Sequence, residues 1–194
     1  MKWQHLLLLG AALCSPVALT QCSSSSDSGA DTNVNQTLDG YEMISPTGLF
    51  NDSDLISSTD TTATAPQFAK SWVYTEFDDT TFKAYRSDRS TLIAQGTYTW
   101  KPASSTTKAV ILHLDITSTM DITDDKGVRY TYTNVQLDAS LPGISGSGLT
   151  LSGLCSFDVR RTADNANQTT QQSCKFSNSN VTVQQLAPGA EPQG

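Results

Sequence analysis

The sequence predicts an all-β domain, an antiparallel meander closed into a barrel, with a β-sandwich as the alternative. Three observations carry this. Segments rich in Thr, Val, Ile, Tyr and Trp recur through the body of the chain, and these residues favour the pleated backbone. Apolar and polar residues alternate within them, the period of a half-buried strand. Clusters of Asp, Ser, Gly and Pro separate them at the short intervals of a β-meander. Charged residues make up only 16% of the chain, which leaves a neutral, hydroxyl-rich surface of the kind common in exported β-proteins.

The 194 residues fit one domain with flanking segments. Residues 1–21 read as a signal peptide. Lys2 supplies a positive start, Leu6 to Leu13 form an apolar run of eight, and Pro16 precedes a cleavage region. The run is too short to span a bilayer, which takes about 20 apolar residues. A cut after Thr20, using Ala18 and Thr20 as the small residues, would give a secreted or periplasmic soluble protein. The tetrapeptide Leu19-Thr20-Gln21-Cys22 resembles the bacterial lipoprotein signal, although Gln21 stands where that family has Gly, Ala or Ser. The resemblance implies lipidation of Cys22, cleavage in front of it and a membrane anchor. Ser23, where an aspartate would retain such proteins at the inner membrane, is similar to lipoproteins sent on to the outer membrane.

Residues 22–37 are polar and Ser-rich, unable to bury enough apolar area to fold, and suit a flexible tether. The folded domain is expected over residues 38–186, and the segment 187–194, "APGAEPQG", is expected to be disordered. The cysteines agree with this division. Of four, Cys14 leaves with the leader; lipidation of Cys22 then leaves Cys155 and Cys174 as a pair. These two lie symmetrically about Thr162 to Asn167, so a hairpin turning there brings them face to face as a disulfide in an exported protein.

Within the domain, Tyr41 to Pro66 shows little periodicity, and Asn51-Asp52-Ser53-Asp54 reads as a solvated turn rather than a cation loop. Strands are expected at Ser71–Phe77, Thr80–Tyr85, Thr91–Trp100, Ala109–Ile122 and Val128–Leu137, with turns at Asp78-Asp79, Ser87–Ser90, around Pro102 and at Asp124–Gly127. The alternation places Val110, Leu112, Leu114 and Ile116 on one face. It sets Tyr130 and Tyr132 opposite Val135 and Leu137. It gives a second series through Leu149, Leu151, Cys155, Phe157 and Val159, broken at Gly153. Leu141 to Gly148, "LPGISGSG", reads as a flexible connection or a strand bulge. The stretches "FDDTTFKAY", "GTYTWKPASSTTKAVILHLDI" and "GVRYTYTNVQLDAS" resemble the meander of calycin-like barrels in exported bacterial proteins, over residues 71 to 140. That resemblance implies a barrel and carries no functional residues.

Chemistry is sparsely signalled. A Ser-His-acid set needs a histidine, and the two present are His5, in the leader, and His113, in a strand where it is exposed or beside Asp115. The acid pairs Asp78-Asp79 and Asp124-Asp125 are explained by turns. A zinc site lacks ligands, the glycine-rich loop lacks the Lys-Ser/Thr of a phosphate cradle, and no cofactor is expected. A formal net charge of −7 argues against nucleic acid. Four Asn-X-Ser/Thr sequons, at Asn35, Asn51, Asn167 and Asn180, are what a chain rich in Asn and Thr produces by chance. The aromatic set Trp72, Tyr74, Tyr98, Trp100, Tyr130 and Tyr132 has two readings, cross-strand packing or a pocket for a sugar, lipid or other small ligand. The expected role is therefore a lipid-anchored cell-envelope protein that binds a ligand or a protein partner. A structural or assembly component comes next, and an unrecognised enzyme last.

Overall fold

The computed structural model describes residues 38–58, 66–101, 109–162 and 169–186. The expected leader, the expected lipidation site Cys22, the Ser-rich segment and the segment 187–194 lie outside the described residues. Ten strands and one helical turn are described: β1 (Tyr41–Ile44), β2 (Asp52–Ser58), α1 (Phe68–Ser71), β3 (Tyr74–Phe77), β4 (Thr81–Tyr85), β5 (Leu92–Lys101), β6 (Val110–Ile116), β7 (Met120–Thr123), β8 (Arg129–Leu141), β9 (Gly146–Arg161) and β10 (Thr170–Gln185).

Every pairing is antiparallel, and the order β1-β3-β4-β5-β6-β8-β9-β10 returns to β1 through Tyr41 opposite Gln185. The result is a closed eight-stranded barrel, with β2 laid along β10 and β7 along β8. Eight strands enclose a space that side chains can fill, and here they do. Val110, Leu112, Leu114 and Ile116 of β6 all point inward, as their alternation predicts, and Leu151, Cys155, Phe157 and Val159 of β9 join them. Phe68, Trp72, Phe82, Tyr132 and Phe157 are among the largest wholly buried side chains. The hairpin turn before β8 carries Gly127 at φ +81°, where positive φ was expected.

Gly153 explains the break in the β9 series. A Cβ there would lie 1.9 Å from the carbonyl oxygen of Asp138 on β8. The long, coiled strands approach too closely at this point for any side chain.

The structure corrects the sequence reading in four places. The segment before Pro66 contains β1 and β2, and Asp52 opens a strand rather than sitting in a turn. Neither strand alternates legibly, because their strand state comes from pairing with β10. Trp72 follows α1 as its C-cap instead of standing in a strand, so β3 starts at Tyr74. The stretch Ala109–Ile122 is two strands, interrupted where Thr117 and Ser118 turn their N–H groups onto the Gln95 carbonyl.

The fourth correction concerns β8. Tyr130, Tyr132, Val135 and Leu137 all face inward, although simple alternation puts the tyrosines opposite the other two. Asn134 lies at φ +52°, and the pairing with β9 shifts between Thr133 and Gln136. This bulge inserts one residue and restores the inward face beyond it. In "LPGISGSG" the last three residues belong to β9, and the pairing with β10 shifts register between Leu149 and Gly146, which is the strand bulge of the two readings, with Gly148 at φ +67°.

Cys155 and Cys174 lie directly opposite each other on β9 and β10, as the symmetry about 162–167 requires. Both are buried free thiols, so the expected disulfide is not formed in this structure. The hydrogen bond to Cys174, and then burial, hold the Cys155 thiol well above its ordinary range.

Candidate functional site

The two ends of the barrel differ. At one, the described domain begins and finishes: Leu186 donates its N–H to the Gly40 carbonyl, and Gly40 donates to Phe77. Tyr98 ties this end together. Its hydroxyl accepts from the Leu38 N–H at 3.1 Å and donates to the Asp79 carbonyl at 3.0 Å. Burial pushes its pKa up to about 12. A cleft of about 190 Å³ lies beside it, bordered by Glu76, Lys83 and Leu186.

The other end is plugged by α1 and the loop before β2. Phe68 is wholly buried and meets Tyr132 edge-on at 5.0 Å. The Tyr132 hydroxyl accepts the Gln67 N–H at 3.0 Å, at the entry to α1. A short helix has no other internal partner for that donor. Burial raises the Tyr132 pKa above its ordinary 10. Leu49 donates its N–H to the Ala69 carbonyl, and the buried amide of Asn178 on β10 holds the Gly48 carbonyl at 2.8 Å. Phe50 stacks on Phe176 with centroids 4.1 Å apart.

Against this plug the β7–β8 turn forms a cleft of about 410 Å³, lined among others by Gln67, Lys70, Lys126, Tyr130 and Arg161. Asp124 builds its wall. One carboxylate oxygen accepts the N–H groups of Lys126 and Val128, and the other accepts the Tyr130 hydroxyl. These bonds, that of Val128 foremost, lower the Asp124 pKa. A second cleft of about 440 Å³ adjoins on the outer wall, lined by Arg129, Arg160, Arg161, Asp121 and threonines 119, 131 and 162. Arg161 borders both.

The six predicted aromatics are not brought together as one pocket. Trp72, Tyr98, Tyr130 and Tyr132 are buried in the barrel, where the Trp72 indole N–H donates to Thr75 Oγ1 at 2.7 Å. Trp100 is half-buried against the core. Tyr74 lies on the outer wall beneath Arg89. Of the six, Tyr130 alone borders one of the clefts described here.

His113 Nδ1 meets Asp138 Oδ1 at 2.7 Å, not Asp115. Directly opposed residues on neighbouring strands lie closer than alternate residues on one strand. Among the described residues no group of three or more potential metal ligands occurs. The charged rim residues Lys70, Lys126, Arg129, Arg160 and Arg161 went unread in the sequence, because each is an isolated cation or a lone pair until β8, β9 and α1 converge. The doublet Arg160-Arg161 closing β9 was the one local signal.

No family model, curated protein or solved structure matches this chain. Among the described residues no helix is long and apolar enough to cross a membrane.

Proposed function

We propose that this chain is a lipid-anchored protein of the bacterial cell envelope, held to the outer membrane through Cys22, whose barrel binds a ligand or a protein partner. The observation that carries the reading is the polarity of the barrel. The domain's first and last described residues meet at one rim, where Leu186 bonds Gly40, and this leaves the α1 rim with its clefts for contact. A tether of residues 22–37 would attach at the first rim and reach on the order of 20 Å as a coil. The charged clefts favour the α1 rim as the binding face, since the interior aromatics already pack on one another. Export would also place Cys155 and Cys174 where a disulfide can form.

Mass analysis of the mature N-terminus and detergent partitioning test the anchor. Acyl mass on Cys22, and release to the aqueous phase by Cys22→Ser, are the expected results. A Cys22→Ser variant that stays in the membrane with an unmodified N-terminus overturns it. The same packing of aromatics favours a second reading, an assembly component of the envelope with no small ligand. Charge reversal at Lys70 and Lys126 separates the two, because only rim binding is lost by it.

A further inference from the structure

We infer that the α1 rim takes an oxyanion, a phosphate or sulfate group, beside Arg160 and Arg161. The inference rests on reading this rim as the binding face. The two adjoining clefts collect five of the chain's twelve Lys and Arg residues against three of its nineteen Asp and Glu. A chain with formal net charge −7 thus carries a local positive surplus at one end. Local sign, more than net charge, decides which ions a cleft concentrates.

Two of the three carboxylates in these clefts, Asp121 and Asp124, are already engaged, and the third is Asp125 of the β7–β8 turn. Asp121 takes the Thr131 hydroxyl at 2.7 Å and Arg129 Nη2 at 2.9 Å, and those bonds, the hydroxyl's first, hold its pKa below the ordinary value. Asp124 is spent on its own turn and on Tyr130. Arg160 stands opposite Thr131 in the β8–β9 register, on the exposed outer wall. Among the described residues no carboxylate forms an ion pair with Arg160, Lys70 or Lys126. Arg161, next on β9, points to the opposite side of the strand and opens onto both clefts. A guanidinium fork matches two oxygens of a tetrahedral anion, which a lysine does only as a point charge.

The test is calorimetric titration of the full-length chain in detergent with sodium phosphate, sodium sulfate and dextran sulfate, at low and at high salt. Binding that weakens with salt, and falls about tenfold in Arg160→Gln and in Arg161→Gln, is the expected result. Lys175→Gln, on another part of the wall, should leave it unchanged. Binding of the simple ions assigns a free anion as ligand; binding of dextran sulfate alone assigns an ester on a polymer. No binding of any probe overturns the inference, as does binding that the arginine variants leave intact. A DNA duplex bound as tightly as dextran sulfate also overturns it, since the patch is then an undiscriminating cation surface. The anchor fails or stands separately: an acylated chain that binds no probe loses this inference and keeps its tether.

Discussion

Arg89 reaches across the outer wall of the barrel and grips Glu42 with both terminal guanidinium nitrogens, its central carbon 3.8 Å above the ring of Tyr74. Glu42 is only 1% exposed, so a carboxylate on the outside of a barrel is buried by a loop from two strands away. Asp88 shapes that loop by accepting the N–H groups of Ser90 and Thr91, and Arg89 itself sits at φ +57°. Removing Arg89 leaves Glu42 with the Gln184 amide at 3.3 Å as its remaining side-chain bond among the described residues. Arg89→Ala should cost about 2 kcal/mol, less than a fully buried pair because the arginine is half exposed. Urea denaturation measures this, and adding Glu42→Gln should recover part of the loss. An unchanged midpoint would show that the strap contributes nothing.

Glu76 stands opposite Glu42 on the neighbouring strand. Burial, and then the Glu42 charge, raise its pKa above 4.5. A raised folded-state pKa means that stability is present below the unfolded value and is lost as pH rises through the folded one. Glu76→Gln should therefore melt higher than wild type at neutral pH, and the difference should vanish below pH 4.5. A gain that persists in acid would point to packing instead of charge.

The Tyr132 hydroxyl holds the start of α1 from inside the barrel. Tyr132→Phe keeps the ring contacts and deletes this bond, at a cost of about 1 kcal/mol. Hydrogen exchange should quicken at the Gln67 amide ahead of the strand amides. Uniform quickening would mean that the plug opens only with global unfolding.

Cys155 and Cys174 are in register and buried as free thiols, so a bond between them would have to form while the hairpin folds. Protein recovered from an oxidising compartment should yield a single linked peptide on non-reducing digestion. Closing a loop of about 20 residues should add roughly 3 kcal/mol over the reduced chain in the chain-entropy model. Two free thiols in exported protein would refute the bond.

Legibility followed how local the physics is. The alternation of Val110 to Ile116, the glycine of the β7–β8 turn and the symmetry of Cys155 and Cys174 are short-range patterns, and each reads directly. β1 was hidden because adjacent Glu42 and Met43 are both buried, one under Arg89 and one in the core. That burial depends on a residue 47 positions away. Trp72 carries strand-like neighbours, yet it ends α1 and its indole donates to Thr75 of β3. Apart from the Arg160-Arg161 doublet, the charged rim was hidden for the same reason. Arg129 and Arg160 become neighbours only through the β8–β9 pairing.

The extra residue at Asn134 sets a rule for how this strand can change. Tyr132 and Val135 are separated by an odd step, and both point inward. Everything from Val135 to Leu141 therefore inherits its orientation from one position. Losing or gaining a single residue there would turn Leu137, Ala139 and Leu141 out to water together, whereas a change of two would be absorbed. What the strand must keep at that point is a parity, which steps of two residues leave intact.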